Sequence, residues 1–436
     1  MRAIAIADSD SYVKWGAALL SRLPGGWDVE LVIVRTAKLP SKGQLSTALR
    51  GTAVEASTVR ALDLAALVTH VASERPDVVI VATIGPLADI VIEAVLDASD
   101  RRPVIVSGMP GIAIPARRKA LVYRSQADLI VMHSVTEVTR FRQIARENHL
   151  EHEFGLATLP FLEEGRRSVG GTDIVFAAQA LVPRGREDRV RLLGWLVELA
   201  ERTPRQRVVV KVRATGAEAQ THAETHGYEQ LLAEDFPGAP ANLVVEGGPM
   251  VDHLDRAAGL VTVSSTAAIE AISLAVPVII IDSFGVSARM INQVFTGSGL
   301  LGGSSALLAQ DFRLAEPEWL SDNYFHGLGA DTWVAVLTEL VERNTGGRLP
   351  ARPRIIRGPG GTLRRAWDRK RALGSADRSL LGYVALAIGT PARSLVLGLS
   401  GLVTLTAEPR VAPQPLPLND EAAELGENQH PARRSL

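Results

Sequence analysis

Residues 260–282 read LVTVSSTAAIEAISLAVPVIIID. The apolar run Leu260–Val263 predicts a buried strand, Thr266–Leu274 a helix, and Pro277–Asp282 a second buried strand. Strands that are apolar on both faces and separated by a helix are typical of a parallel sheet covered on both sides. This stretch therefore predicts an α/β fold in which the turn at 264–266 lies at the carboxyl edge of the sheet.

The same alternation extends in both directions. Before residue 163 it gives strands such as Ala3–Asp8 and Asp77–Ala82, with helices such as Tyr12–Leu23, Thr58–Glu74 and Ser134–Asn148. A second series follows the turn-rich segment 163–172, which reads EGRRSVGGT from Glu164. We expect two Rossmann-like domains facing each other across a cleft, at 1–162 and 163–345. A basic and apolar extension at 346–407 and a disordered tail at 408–436 complete the predicted organisation.

Composition excludes several classes of protein. The 47 Lys and Arg residues nearly balance the 48 Asp and Glu residues, for a net charge of −1, which argues against a nucleic-acid binder. The absence of cysteine excludes disulfides and thiolate chemistry. The N-terminal apolar run is interrupted by Asp8 and Asp10 and so does not predict a signal peptide. We expect a cytoplasmic protein.

The turn Ser264-Ser265-Thr266 is the first candidate site. Three hydroxyls and the backbone N–H groups at the start of a helix favour an anion, and a phosphate is the natural ligand. Glu270 lies one turn further on the same face, where its carboxylate suits a ribose diol. The alternative is an ordinary serine cap on a buried helix, with Glu270 solvated.

The pattern S-S-T-A-A-I-E-A-x5-V-P-V-I resembles the donor-nucleotide motif of GT-B glycosyltransferases. It is most similar to bacterial capsule and envelope enzymes of the polysialyl-, Kdo- and CDP-glycerol-transferase groups, and residues 1–345 resemble actinobacterial glycosyltransferases. The resemblance implies a GT-B fold, a nucleotide-sugar donor with CMP-sugars preferred, and a glycan or lipid-linked envelope acceptor. It also implies that transfer is inverting and independent of metal and other cofactors.

By that resemblance Ser264, Ser265 and Thr266 hold the donor phosphate and Glu270 the ribose. Lys211 and Arg213 add positive charge beside the leaving nucleotide, or else belong to a strand end that faces the surface. The related enzymes have His-Pro where this chain has Arg213-Ala214.

Two further loops of the second domain follow strands. Gly248 lies after the strand Asn242–Glu246 and is a candidate contact to the base or ribose, or part of a plain turn. Asp282 ends the strand Pro277–Asp282 at the same predicted edge and is a further donor-binding candidate.

The first domain supplies the candidates for catalysis. Asp8 and Asp10 follow its first strand, and either carboxylate suits the base that takes a proton from the acceptor hydroxyl. Asp10 is equally suited to cap the helix. Lys14, on the first turn of that helix, is an acceptor-binding candidate. His133 follows a later strand and is a second candidate acid or base, or else a buried structural histidine.

The loop 107–123 (SGMPGIAIPARRKALVY) is long and rich in Gly and Pro. We expect Gly111, Arg117 and Arg118 to contact the acceptor, with the arginines favouring an anionic one; a solvated surface loop is the alternative. His222 and His226 lie four apart, but without a third ligand they do not predict a metal site.

The extension combines eight basic residues between 352 and 371 with the apolar stretch 380–407. This combination favours attachment to an anionic membrane surface at 352–407, or a helix pair packed on the domains. Two rival functions remain open from the sequence: a UDP-sugar 2-epimerase, which has the same two-domain layout, and a non-catalytic nucleotide-sugar-binding scaffold.

Overall fold

The computed structural model describes residues 1–36, 39–160, 162, 171–212, 226–355 and 361–388. Arg213, His222, the apolar stretch beyond residue 388 and the tail 408–436 lie outside the described residues. Contacts divide the chain into one unit at 1–385, which holds both sheets, and a second that begins at Leu386.

The first sheet has seven parallel strands in the order β3-β2-β1-β4-β5-β6-β7. We call this sheet and the helices packed on it the first lobe. Its elements are β1 (Arg2–Ala7), α1 (Asp10–Ser21), β2 (Asp28–Val34), α2 (Lys42–Ala48), β3 (Arg60–Leu62), α3 (Leu64–Glu74), β4 (Val78–Ala82), α4 (Gly85–Ala98), β5 (Val104–Gly108), α5 (Arg118–Val122), β6 (Leu129–Met132), α6 (Val135–Glu147) and β7 (Glu153–Leu156).

Alternation along the central strand β1 fills both faces of this sheet. Ala3 and Ala5 belong to the core on the side of Trp15 in α1. Ile4 and Ile6 belong to the core on the other side, with helices α3 and α4. Small alanines leave room for the indole ring, while the isoleucines pack among the Leu, Val and Ile side chains of α3 and α4, so both faces are buried.

The second sheet has six parallel strands in the order β10-β9-β8-β11-β12-β13. This sheet and its helices form the second lobe. Its elements are β8 (Asp173–Ala177), α7 (Arg186–Arg202), β9 (Val208–Lys211), α8 (Tyr228–Asp235), β10 (Leu243–Glu246), α9 (Met250–Leu254), β11 (Ala257–Thr262), α10 (Ala267–Ser273), β12 (Val278–Ile281), β13 (Leu301–Gly302), α11 (Ser304–Leu308) and α12 (Pro317–Asp322), with a 3₁₀ turn at Gln293–Phe295.

The two parallel sheets confirm the predicted α/β GT-B-like architecture. Predicted strands agree with observed ones to within a few residues, and Ser134 caps α6 as expected, because its Oγ accepts from Glu137 N over 3.0 Å. The predicted helix Thr58–Glu74 is wrong at its start, where residues 60–62 form the edge strand β3.

The chain returns to the first lobe after α12, which corrects the predicted boundary at residue 345. Helix α13 (Trp333–Thr345) packs against β5, β6 and β7. The fully buried Trp333 belongs to the same core as Trp15. Helix α14 (Gly361–Leu373) then packs on α4. The C-terminal part of the described chain therefore completes the first lobe.

Part of the predicted membrane-binding stretch instead binds the first lobe. Arg352 Nε lies 3.4 Å from the buried Asp128 carboxylate, and Arg354 NH2 lies 3.1 Å from Asp89. Both arginines form ion pairs within the protein. They therefore do not serve the membrane contact that the sequence predicted for them. Among the described helices, none is both long and apolar enough to span a bilayer.

Candidate active site

The turn predicted to hold a phosphate links β11 to α10. Ser264 is 5% exposed, and its Oγ and backbone N both donate to Gln179 Oε1 over 3.0 Å. Ser265 Oγ accepts from Ala267 N over 3.2 Å and so caps the start of the helix. The Ser264 hydroxyl hydrogen therefore fixes the turn against the loop after β8. Contrary to the prediction, it is not available to donate a hydrogen bond to the phosphate.

Thr266 faces the first lobe. A Cβ built at Gly111 would lie 3.3 Å from Thr266 Cγ2, so the loop after β5 and the turn after β11 approach each other there. The Thr266 side chain is half-buried, and its hydroxyl has no hydrogen-bond partner among the described residues. The carboxyl edges of the two sheets thus meet at the predicted turn.

Glu270 lies within electrostatic range of two cations from different lobes. Burial raises the pKa of its carboxyl, while the positive charges of Lys14 and Lys211 act in the opposite direction. Lys211 ends β9, is 7% exposed and donates from Nζ to the Val212 carbonyl over 2.8 Å. Lys14 lies on α1 in the first lobe. The structure therefore brings together three residues that the sequence predicted separately.

Gly248 and Asp282 lie at opposite sides of this edge. Gly248 has a φ of +95° in the loop after β10, and Asp282 follows β12 with its N donating to the Gly302 carbonyl over 3.2 Å. Their strands are four positions apart in the sheet, which corresponds to about 19 Å. The two residues cannot contact the same group of a ligand.

Asp8 and Asp10 have different environments. Asp8 is 4% exposed, and its carboxylate accepts from Ile84 N over 3.2 Å and from Ser9 Oγ over 3.0 Å. Burial raises the pKa of Asp8. Asp10 is half-buried and opens α1 without capping it, since Ser9 is the N-cap residue. Asp8 ties the loops after β1 and β4 together, whereas Asp10 is the more exposed of the two, so both stay predictions for the base and Asp10 is the better placed.

His133 is a structural histidine. It is fully buried, its Nε2 accepts from Trp15 Nε1 over 2.7 Å, and its Nδ1 donates to the Ala157 carbonyl over 2.7 Å. Burial lowers its pKa to about 4. Both ring nitrogens are therefore engaged and the ring is neutral near pH 7, which corrects the predicted acid or base role.

The two arginines of the 107–123 loop do not accompany Gly111. Arg117 and Arg118 are exposed, and Arg118 Nε donates to Asn148 Oδ1. Asn148 follows α6, whose 13 residues span about 20 Å away from the carboxyl edge. Arg118 therefore lies away from Thr266, and the acceptor contacts of Arg117 and Arg118 stay predictions.

A cavity of about 820 Å³ extends along α6, between that helix and the second lobe. Ile114, Pro115 and Ala116 line it, three to five residues after Gly111. None of the predicted site residues that the structure describes lines this cavity. Its walls are mainly polar, with Thr136, Arg140, Gln143 and Glu147 from one face of α6, and Gln293, Thr296, Glu318, Asp322 and Asn323 from the second lobe.

The sequence matches a family model described as "Putative glycosyltransferase (DUF6716)" over residues 3–340, more than three quarters of the chain. The chain belongs to this family. Membership confirms the predicted enzyme class, a glycosyltransferase, and the matched region includes both lobes and the start of α13. No curated protein matches the sequence.

Solved structures place this glycosyltransferase in the two-lobe fold. The UDP complex of MnaA from S. aureus has a TM-score of 0.50 and 13% identity, over 82% of this chain and 100% of the other. The UDP-GlcNAc 2-epimerase of Methanocaldococcus jannaschii, in complex with UDP-GlcNAc and UDP, has a TM-score of 0.51 and 13% identity, over 80% and 100%. At this identity the likeness shows the fold alone.

Several residues that organise the site were not predicted. Gln179, which holds Ser264, follows β8 at the carboxyl edge, so the rule that loops there matter would have found it. The buried Glu137 accepts from Tyr324 OH over 2.7 Å and so joins the lobes. Nothing in the local sequence around either residue signals that pairing. Among the described residues, no cluster of three or more His, Asp or Glu side chains is arranged to hold a metal ion.

Proposed function

We propose that this enzyme transfers a sugar from a nucleotide donor on the second lobe to an acceptor hydroxyl on the first lobe, with inversion and without metal. The acceptor is an envelope glycan or lipid-linked glycan at the cytoplasmic face of the membrane. The observation that carries this proposal is the approach of Gly111 in the first lobe to Thr266 in the second, with Lys14 of the first lobe within electrostatic range of Glu270.

The donor phosphate contacts the Thr266 hydroxyl and the cation of Lys211. Ser265 and Ser264 act on the turn itself, through the cap on α10 and the bond to Gln179. Glu270 accepts from the ribose hydroxyls. The positive charges of Lys14 and Lys211 near this turn favour an anionic phosphate. Arg213 and Gly248 stay predictions for the phosphate and the nucleoside, and Asp282 for the sugar side.

The chemistry follows from these positions. Asp10 takes the proton from the acceptor hydroxyl. The hydroxyl oxygen bonds to the anomeric carbon of the donor sugar, and the bond from that carbon to the donor phosphate breaks. Negative charge develops on the departing phosphate, where Lys211 and the Thr266 hydroxyl stabilise it. Contact between the lobes excludes water that would otherwise hydrolyse the donor.

The cavity along α6 suits the rest of the acceptor. Amide, hydroxyl and carboxylate side chains bind sugar hydroxyls through hydrogen bonds. Its charged members are Arg140 against Glu147, Glu318 and Asp322, which disfavours a strongly anionic chain. We therefore propose a polyhydroxylated glycan here, rather than the anionic acceptor that Arg117 and Arg118 suggested.

A UDP-sugar 2-epimerase is the second candidate, favoured by the fold shared with the M. jannaschii epimerase. It needs acids and histidines converging on one sugar, whereas the histidine predicted for chemistry, His133, has both nitrogens engaged. Incubation with UDP-GlcNAc and no acceptor separates the two: formation of the 2-epimer would contradict glycosyl transfer.

Nucleotide binding tests the donor site. We expect one of CMP, CDP, UDP or GDP to raise the unfolding temperature, with CMP preferred by family resemblance. Thr266→Val removes a hydroxyl but keeps the shape, and losing a bond to a charged phosphate weakens binding at least about tenfold. Ser273→Ala is the matched control, because it removes a hydroxyl at the other end of the same helix. Equal shifts in both variants would contradict the proposed site.

A further inference from the structure

The helical residues 380–385 expose their large apolar side chains to solvent, which is unusual for a globular protein. Gly382 and Ala385 are buried, whereas Leu380 and Tyr383 are 81% and 52% exposed. Leu381 and Val384 are 43% and 44% exposed. A helix that packs on a domain normally buries its large apolar residues and exposes small or polar ones. Here the outward face is the apolar one.

This face is held in place by α14. Ser379 Oγ accepts from Gly382 N over 3.1 Å and so caps the segment. Lys370 Nζ lies 3.5 Å from the centroid of the Tyr383 ring. A Cβ at Gly382 would lie 2.6 Å from Asp377 Oδ2, so only glycine allows this close approach. The exposed side chains are therefore presented by a packed element.

The segment that carries the apolar face is strongly cationic. Residues 361–385 contain six Lys or Arg and two Asp, a net charge of +4, while the whole chain has −1, so the remainder has −5. Four of these arginines are exposed: Arg364, Arg365, Arg371 and Arg378. A second copy of the chain would bring like charges together, whereas an anionic surface complements them.

We propose that residues 361–385 form a docking surface for an anionic lipid bilayer. Leu380, Leu381, Tyr383 and Val384 enter the interface, and the exposed arginines lie at the level of the headgroups. The surface contains none of the residues assigned to sugar transfer, so its test is independent of the proposed function.

Co-sedimentation of the full-length protein with vesicles tests this proposal. We expect binding to phosphatidylcholine vesicles that contain phosphatidylglycerol, weaker binding to phosphatidylcholine alone, and loss of binding at high salt. Neutralising Arg371 and Arg378 to Gln should weaken binding about fivefold per arginine. Leu380→Glu with Val384→Glu should abolish it, because a charged side chain then faces the acyl chains.

Leu314→Glu is the matched control, since Leu314 is an apolar residue that is 61% exposed outside this surface. It should bind vesicles as the unchanged protein does. Because all of these side chains are exposed, unfolding temperatures should agree among the variants. Equal vesicle binding by the Leu380/Val384 variant and the control would overturn the proposal. The proposal would also be overturned if the unchanged protein were a dimer and the Leu380/Val384 substitutions converted it to a monomer without changing vesicle binding.

Discussion

At the scale of single residues, burial decides which predicted group can do chemistry, and His133 is the clearest case. Its pKa in the folded protein is about 4, whereas an unfolded histidine has a pKa of about 6.5. Between these values the unfolded chain binds more protons than the folded one, so stability falls as pH falls from 6.5 towards 4. Over that range the free energy of unfolding falls by about 3 kcal/mol.

His133→Gln tests this assignment. The amide oxygen can accept from Trp15 Nε1 but does not titrate, so we expect a shallower fall of the unfolding free energy between pH 6.5 and 5 than in the unchanged protein. His152, whose pKa burial also lowers to about 4, stays in both proteins and contributes equally. The unfolding free energy is measured by denaturant titration at each pH. If it fell equally steeply with pH in both proteins, His133 would not be buried in its neutral form.

The three hydroxyls at 264–266 show what sequence cannot decide at this scale. Their position after a buried strand was predictable from the apolar pattern alone. Which hydroxyl is used internally depends on Gln179, 85 residues earlier, whose amide oxygen accepts from Ser264. Of these three, only the Thr266 hydroxyl has no hydrogen-bond partner among the described residues. That distinction depends on the folded positions of two loops.

At the scale of elements, α1 presents Asp10 and Lys14 four residues apart, and so on one face of the helix. Because Lys14 lies close enough to Glu270 to shift its pKa, that face is directed towards the second lobe. Asp10→Asn should therefore lower kcat by about 100- to 10,000-fold and leave nucleotide binding unchanged. Steady-state transfer assays with a thermal-shift measurement check both parts.

Asp8→Asn is the comparison variant for Asp10. Asp8 accepts two hydrogen bonds in a buried position, so its loss should lower the unfolding temperature of the protein. If Asp8→Asn abolished transfer at unchanged stability while Asp10→Asn remained active, the assignment of the base to Asp10 would be wrong.

Elements with a strong local pattern were predictable, and elements defined by distant partners were not. The strands of both sheets are runs of apolar residues buried on two faces, which the sequence displays directly. Helix α13 has an amphipathic pattern, but its partner strand β7 lies more than 170 residues earlier, so the pattern could not say which sheet it covers. The edge strand β3 has three residues and is too short to produce a pattern.

At the scale of the whole molecule, hydrogen bonds of Tyr324 and Asp331 join the chain after α12 to the first lobe. Tyr324 OH donates to Glu137 Oε1 over 2.7 Å, and Asp331 Oδ1 accepts from Thr158 N over 2.7 Å. These bonds lie where the chain returns to the first lobe. The same Glu137 oxygen accepts from Ala113 N over 2.7 Å, two residues after Gly111, so the approach of Gly111 to Thr266 is coupled to the bond that joins the lobes.

Gly111→Leu tests whether this contact matters for transfer. A Cβ at Gly111 already lies 3.3 Å from Thr266 Cγ2, so the longer leucine side chain must push the loop and the turn apart. A misplacement of about 1 Å between donor and acceptor lowers kcat about 100-fold. Nucleotide binding should persist, because the second lobe supplies most of that site. Gly238→Leu is the control, since a side chain there meets nothing within 4 Å. Full transfer by Gly111→Leu would mean that the reacting groups meet elsewhere along the gap between the lobes.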